Sequence, residues 1–105
     1  MAGAIQIRAR MISGDVADVK ILISHEMETG QRKNPKTKEV IPAHFIKDVV
    51  VTLNDKAIMT SQWGTGIAKN PFLGLRVAGA KSGDFIAISA VDNLGARFEH
   101  NAIII

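Results

Sequence analysis

Apolar side chains recur at every second position through most of this chain, and that period excludes most folds before any motif is read. Ile5, Ile7 and Ala9 alternate with Gln6, Arg8 and Arg10, the spacing of a strand with one face on a core and the other in water. Ser13, Gly14 and Asp15 form a turn, and Val19, Ile21 and Ile23 then alternate with Lys20, Leu22 and Ser24 as a second strand. A polar loop, QRKNPKTKE, follows, with a short strand predicted over Glu39 to Ile41. Phe45 to Leu53 is the strongest strand signal, with the run Val49, Val50, Val51 and Thr52. Asn54 and Asp55 make a hairpin turn, and Lys56 to Thr60 returns beside it. The stretch SQWGTGIAKNP, 61 to 71, reads as irregular with room for one helical turn. Strands are predicted over Phe72 to Val77, Phe85 to Val91 and Ala96 to Ile103, the last two joined by the turn Asp92-Asn93-Leu94-Gly95. About seven strands at this spacing, with no helix signal, predict an all-β chain: an immunoglobulin-like antiparallel β-sandwich, with an open barrel as the competing architecture.

Two strands break the alternation. Val49-Val50-Val51 and Phe85-Ile86-Ala87-Ile88 put apolar side chains on both faces. Ala102 to Ile105 adds four apolar residues at the end of the sequence, where an unpartnered tail is usually polar. A second subunit covering one sheet face accounts for both features, and a homodimer of the isolated chain would do so as well. Ordinary scattered surface apolar residues are the simpler alternative.

The length of 105 residues suits one domain over 1–105. A hydrophobic content of 47% argues against disorder. No apolar run approaches the roughly 20 residues of a membrane-crossing helix, so no membrane partner is expected. The net charge of +3 is modest, and one Trp, four Phe and no Tyr offer few stacking surfaces; no nucleic-acid partner is expected. The dense basic cluster Arg32, Lys33, Lys36 and Lys38 reads as a solvated loop. The absence of cysteine removes disulfides, thiolate metal sites and covalent chemistry at a thiol of this chain. The start, MAGAIQIRAR, has no secretory-signal pattern.

Candidate chemistry centres on ISHEMETGQRK, 23 to 33. His25-Glu26-Met27-Glu28-Thr29 begins like the zinc-protease motif HExxH, but Thr29 stands where the second imidazole is needed, and Gly30 argues for a loop rather than a helix. His44 and His100 are the other histidines; a metal-dependent enzyme built on His25, His44 and His100 is the rival reading, although no spacing supports it. Gly64-Thr65-Gly66-Ile67-Ala68-Lys69 resembles a dinucleotide fingerprint whose last glycine is replaced by Lys69, without the βαβ context such a motif needs. No serine has a neighbouring His and Asp in sequence. No catalytic residue, no cofactor and no metal is therefore expected, and a free-standing ligand-binding sandwich stays open as a third reading. Trp63 and Phe72 flank the glycine-rich loop and are expected to pack; exposed, they would be interface anchors.

Two segments carry a resemblance. LISHEMETGQRK (22 to 33) with IPAHFI (41 to 46), and WGTGIAKNPFL (63 to 73), are similar to the SoxZ family, the small subunits of the SoxYZ carrier of bacterial thiosulfate oxidation. The likeness runs over nearly the whole chain, with Ala90 and Val91 standing where the family suggests an aromatic. It implies an immunoglobulin-like sandwich without an active site, a heterodimer or higher assembly with a cysteine-bearing SoxY-like subunit, and contact with other sulfur-oxidation enzymes through that complex. It further implies a periplasmic location, reached by export alongside a signal-bearing partner. The 23–33 stretch then becomes a structured recognition loop. Gly30 is expected in a conformation that side-chain-bearing residues resist. Met27 is expected to offer an adaptable apolar contact, and Glu28, Gln31 and Arg32 polar ones. With Trp63 and Phe72, these four are the candidate partner-binding residues, or residues that only brace the end of the sandwich.

Overall fold

The computed structural model describes residues 4–105. It has seven strands: β1 Ala4–Met11, β2 Val16–Ser24, β3 Ile46–Leu53, β4 Lys56–Gln62, β5 Phe72–Ala78, β6 Phe85–Asp92 and β7 Arg97–Ile103. They form two antiparallel sheets, one of three strands in the order β1-β2-β5 and one of four in the order β4-β3-β6-β7. This is the immunoglobulin-like sandwich that the alternating pattern predicts, with no helix among the described residues. The molecule is elongated, 55 × 20 × 20 Å.

Alternation decides which side chains meet. In β2 the odd positions Ala17, Val19, Ile21 and Ile23 are all fully buried, while the even positions face out. They oppose Val49 and Val51 of β3 and Ile86, Ile88 and Ala90 of β6, which complete the core. The intervening Val50, Ala87, Ser89 and Val91 lie on the outer face of the four-stranded sheet and are half-buried. The hairpin between β3 and β4 turns on Asn54 and Asp55, both at positive φ (50° and 67°), as a type I′ turn requires. Asn54 also ties this turn to β6, accepting the Phe85 amide on its side chain at 2.8 Å. A bulge leaves Ile58 of β4 outside the ladder between the Val51–Met59 and Thr52–Ala57 pairs.

The last two residues fasten one seam of the sandwich. Ile105 donates its amide to Ala9 O (3.1 Å), and its carbonyl accepts the Met11 amide (2.8 Å), the bonding of a parallel bridge. Ile104 is buried completely beneath it. The apolar end of the sequence is therefore spent partly inside this chain: Ile103 and Ile105 remain exposed, at 53% and 78%.

Two local expectations need correction. Glu39 to Ile41 is not a strand: a single bridge joins Lys33 to Val40. Pro35 and Pro42 bracket this stretch and restrict a ladder. Asn34 folds the chain back instead, accepting the Lys36 amide at 2.8 Å on its side chain. The 61–71 stretch is irregular only past Gln62, since β4 takes its first two residues, and the room left for a helical turn holds a tight turn, Gly64 to Ile67.

Candidate functional site

One end of the sandwich gathers the loops that leave β2, lead into β3, lead into β5 and join β6 to β7. His25, the first residue past β2, locks two of them together. Its amide donates to Asn70 Oδ1 at 3.0 Å, and its carbonyl accepts the Asn70 amide at 3.0 Å. Asn70 holds φ 54°, a conformation asparagine tolerates better than most residues. The ring of His25 turns inward, where its Nδ1 accepts the Met27 amide at 3.0 Å.

Met27 follows at φ 51° and is 5% exposed. Its Sδ lies 3.4 Å from the Ile46 amide, which donates to it. Its apolar surface is thus used within this chain, as part of the structural loop. Glu28 forms a backbone bridge with His44, and its carboxylate takes both a 2.7 Å and a 3.1 Å bond from the Arg32 guanidinium. That fork holds the Glu28 carboxyl below its usual range. Gln31 is exposed, its amide donating to Thr29 Oγ1 at 3.1 Å. Gly30 adopts φ +85°, as expected of a position that only glycine occupies without strain. An open cleft of about 650 Å³ separates this loop from residues 65–69.

The lead into β3 supplies the centre. His44 Nε2 stands 2.8 Å from Asp92 Oδ2. The other oxygen of Asp92 accepts the amides of Leu94 (3.0 Å) and Ala96 (2.9 Å), so one buried carboxylate caps the β6–β7 turn and anchors His44. Asn93 fastens the same turn to the β3 lead, accepting the Phe45 amide at 2.8 Å and donating to Ala43 O at 2.9 Å. His25 completes the group: its Nε2 lies 3.8 Å from Asp92 Oδ2. Its ring stands edge-on to that of His44, 4.5 Å between centroids.

His25, His44 and Asp92 place three potential ligand atoms within 4.8 Å of one another. The proton positions argue against an ion. Nδ1 of His25 accepts a bond and so carries no proton; the neutral ring must then hold its proton on Nε2. His44 Nε2 also donates, to the carboxylate. Both imidazoles thus aim N–H groups at Asp92 Oδ2. A metal needs their lone pairs instead, with the distal nitrogen free to donate, and the Met27 amide already points at that nitrogen of His25. The group is a hydrogen-bond array in which the Nε2–H of His25 has no partner at bonding distance. Burial, with His44 adding to it, lowers the His25 pKa and favours the neutral ring. Burial opposes the charge on Asp92, but the bonds from His44, Ala96 and Leu94 outweigh it and hold its carboxyl below the usual range. Among the described residues, neither histidine ring bonds a hydroxyl that could act as a nucleophile.

Of the three histidines weighed as ligands, the fold brings His25 and His44 together and leaves His100 exposed on β7. Asp92 was legible only as a turn residue. The signal lay in the period: Ile86, Ile88 and Ala90 point inward, so Asp92 is the next inward position of β6. A carboxylate there requires partners. The flanking aromatics part company. Trp63 packs against the core and donates Nε1 to Ser61 Oγ at 3.0 Å. Phe72 is 63% exposed on the outer face of the three-stranded sheet, beside Gly74 and across from Leu22.

The described residues define a small β-sandwich, two antiparallel sheets whose one end is braced by an interlocked polar array. Residues 5–102 match the family model "Sulphur oxidation protein SoxZ". The chain belongs to the SoxZ family, and its role lies in sulfur oxidation. No curated protein matches it.

Proposed function

We propose that this chain is the non-catalytic subunit of a SoxYZ-type carrier, binding and stabilising a cysteine-bearing SoxY-like subunit that holds the covalent sulfur intermediates. The carrying observation is the outer face of the four-stranded sheet. Across β3 and β6 it presents Val50, Thr52, Ala87, Ser89 and Val91, small and uncharged side chains, with Asp48 and Arg97 at one end beside Val91 and Glu99 flanking Ser89 on β7. Such a face loses little polar solvation when covered, and a flat sheet surface suits a lasting subunit contact. The lack of any cysteine in this chain agrees with a division of labour in which the partner supplies the thiol. Periplasmic work, after export together with that partner, belongs to the same proposal.

Co-expression with the cysteine-bearing subunit tests it. A 1:1 complex should form, burying at least about 1,200 Å², and Ala87→Glu should abolish it while leaving this chain folded. An Ala87→Glu variant that assembles normally, or turnover of a sulfur compound by the isolated chain, would refute the proposal.

A further inference from the structure

The two outer faces of the sandwich are chemically unlike. On the three-stranded sheet, Arg8 and Arg10 of β1, Lys20 of β2 and Arg76 of β5 all point outward and are exposed. Register brings them together: Arg8 stands opposite Lys20, and Arg10 and Arg76 flank Asp18 from either side. Asp18 is the single carboxylate that the described strand residues place on that face, 3.8 Å from the Lys20 ammonium. The whole chain has 13 Lys and Arg against 10 Asp and Glu. The surplus of three cations on this face equals the net charge of the whole chain. Beside it, a groove of about 520 Å³ runs along the β1 edge between Arg8 and Arg10 on one side and Ala102, Ile103 and Ile105 on the other.

We propose that this face is a second docking surface, for a protein that presents carboxylates around an apolar side chain. Charge complementarity carries the choice of occupant. Four cations against one anion concentrate field over a flat patch, which attracts an acidic protein and speeds its arrival. The exposed Ile103 and Ile105 give the groove an apolar wall in which one side chain of that partner is seated. A second copy of this chain would bring like charge against like. A single-stranded nucleic acid needs stacking rings along its path, and Phe72 alone offers one, at the far end of β5. The patch is narrow, three strands wide, so the encounter is brief and salt-sensitive rather than permanent. Its four cations lie on the sheet opposite the subunit contact proposed above, and the groove meets the four-stranded sheet only at its β7 edge, through Ala102 and Ile103.

The test uses the full chain labelled with nitrogen-15 and a fluorescein-labelled peptide that alternates glutamate and leucine. Amide shifts are expected at Arg8, Arg10, Lys20, Ile103 and Ile105. Affinity should fall about tenfold or more in the R8E/R10E double variant, and again when salt is raised until screening shrinks the Debye length to a few ångströms. Ile105→Asp, which leaves the four cations in place, should weaken binding as well. Both variants alter exposed side chains, and their amide spectra report whether they remain folded. Equal binding of a glutamine–leucine peptide would overturn the proposal. So would shifts confined to other surfaces, or tighter occupation of the same residues by a thymidine oligonucleotide or by phosphatidylserine vesicles. Repeated on the complex with the cysteine-bearing subunit, the same shifts are expected; their loss there would show that the face is not free in the assembly.

Discussion

The imidazole of His44 and the carboxylate of Asp92 meet at 2.8 Å across the end of the sandwich, 48 residues apart in sequence, and Asp92 has no solvent exposure at all. This contact joins the β3 lead to the β6–β7 turn, and Asp92 serves the turn with its second oxygen. Replacing Asp92 with Ala removes acceptors from His44, Leu94 and Ala96 together. Breaking a buried, hydrogen-bonded ionic group of this kind costs about 3–5 kcal/mol. Asp92→Asn keeps an oxygen for the two amides and loses the charge-assisted bond, at about 1.5–3 kcal/mol. Urea unfolding of the three proteins at neutral pH should rank them wild type, Asn, Ala. Equal midpoints for wild type and Asp92→Ala would mean that the array contributes nothing.

His25 sets a different limit on stability. Its pKa in the folded protein is depressed below 6.5, chiefly by burial, so the unfolded chain binds a proton more readily than the native one. Stability is then full above 6.5 and declines as pH falls from there through the depressed native value. Asp92, also depressed from 3.8, adds a second loss of stability that begins lower, as pH drops through its own native value. His25→Asn retains a side-chain acceptor for the Met27 amide, in an Asx-turn, and removes the titrating ring. The denaturation midpoint of this variant should be lower overall but flat just below pH 6.5, where the wild type slopes. A wild-type slope that survives in His25→Asn would assign the titration to another group.

The fold was open to reading from sequence because its cause is local. Alternation in Ala17 to Ile23 and in Phe85 to Asp92 specifies which face of each strand is buried, and Asn54-Asp55 specifies a hairpin. The candidate site was only half legible because its causes are not local. His25 stood out for its neighbours Glu26 and Glu28, yet its partners Asn70 and Asp92 lie 45 and 67 positions away. Met27 shows the same limit. An apolar residue in a polar loop suggests contact with another protein, and only the approach of Ile46 shows that this chain uses it. Phe72 errs in the opposite direction: an aromatic beside Pro71 looks like a core plug, but strand parity with Leu22 and Gly74 turns it outward.

Gly30 offers a sharp check on the 23–33 loop. At φ +85° an L-residue is strained, and a Cβ there would lie 3.1 Å from Cβ of Ala43. Gly30→Ala should cost about 1–2 kcal/mol from the left-handed backbone alone, with the Ala43 contact adding to it. Gly14, in the β1–β2 turn, has nothing within 4 Å of its would-be Cβ and no positive φ. Gly14→Ala should therefore be nearly neutral or slightly stabilising through the unfolded state. Thermal unfolding of the two variants side by side should separate them clearly, and equal melting temperatures would refute the loop geometry.

Ile104 and Ile105 are neighbours with opposite duties. Ile104 is fully buried and closes the core beneath β1, while Ile105 contributes its backbone to Ala9 and Met11 and leaves its side chain 78% exposed. Ile104→Ala leaves a cavity and should cost about 2–5 kcal/mol. Ile105→Ala keeps both backbone bonds and should cost under about 0.5 kcal/mol, as surface changes usually do. Removing residues 104 and 105 together takes away the core side chain and both bridge bonds. The amides of Met11 and of the β1 edge should then exchange hydrogen faster than those of β2, which remains paired on both sides. If truncation leaves β1 exchange unchanged, the seam is held by the side chains of β1 alone, and the tail is not its fastening.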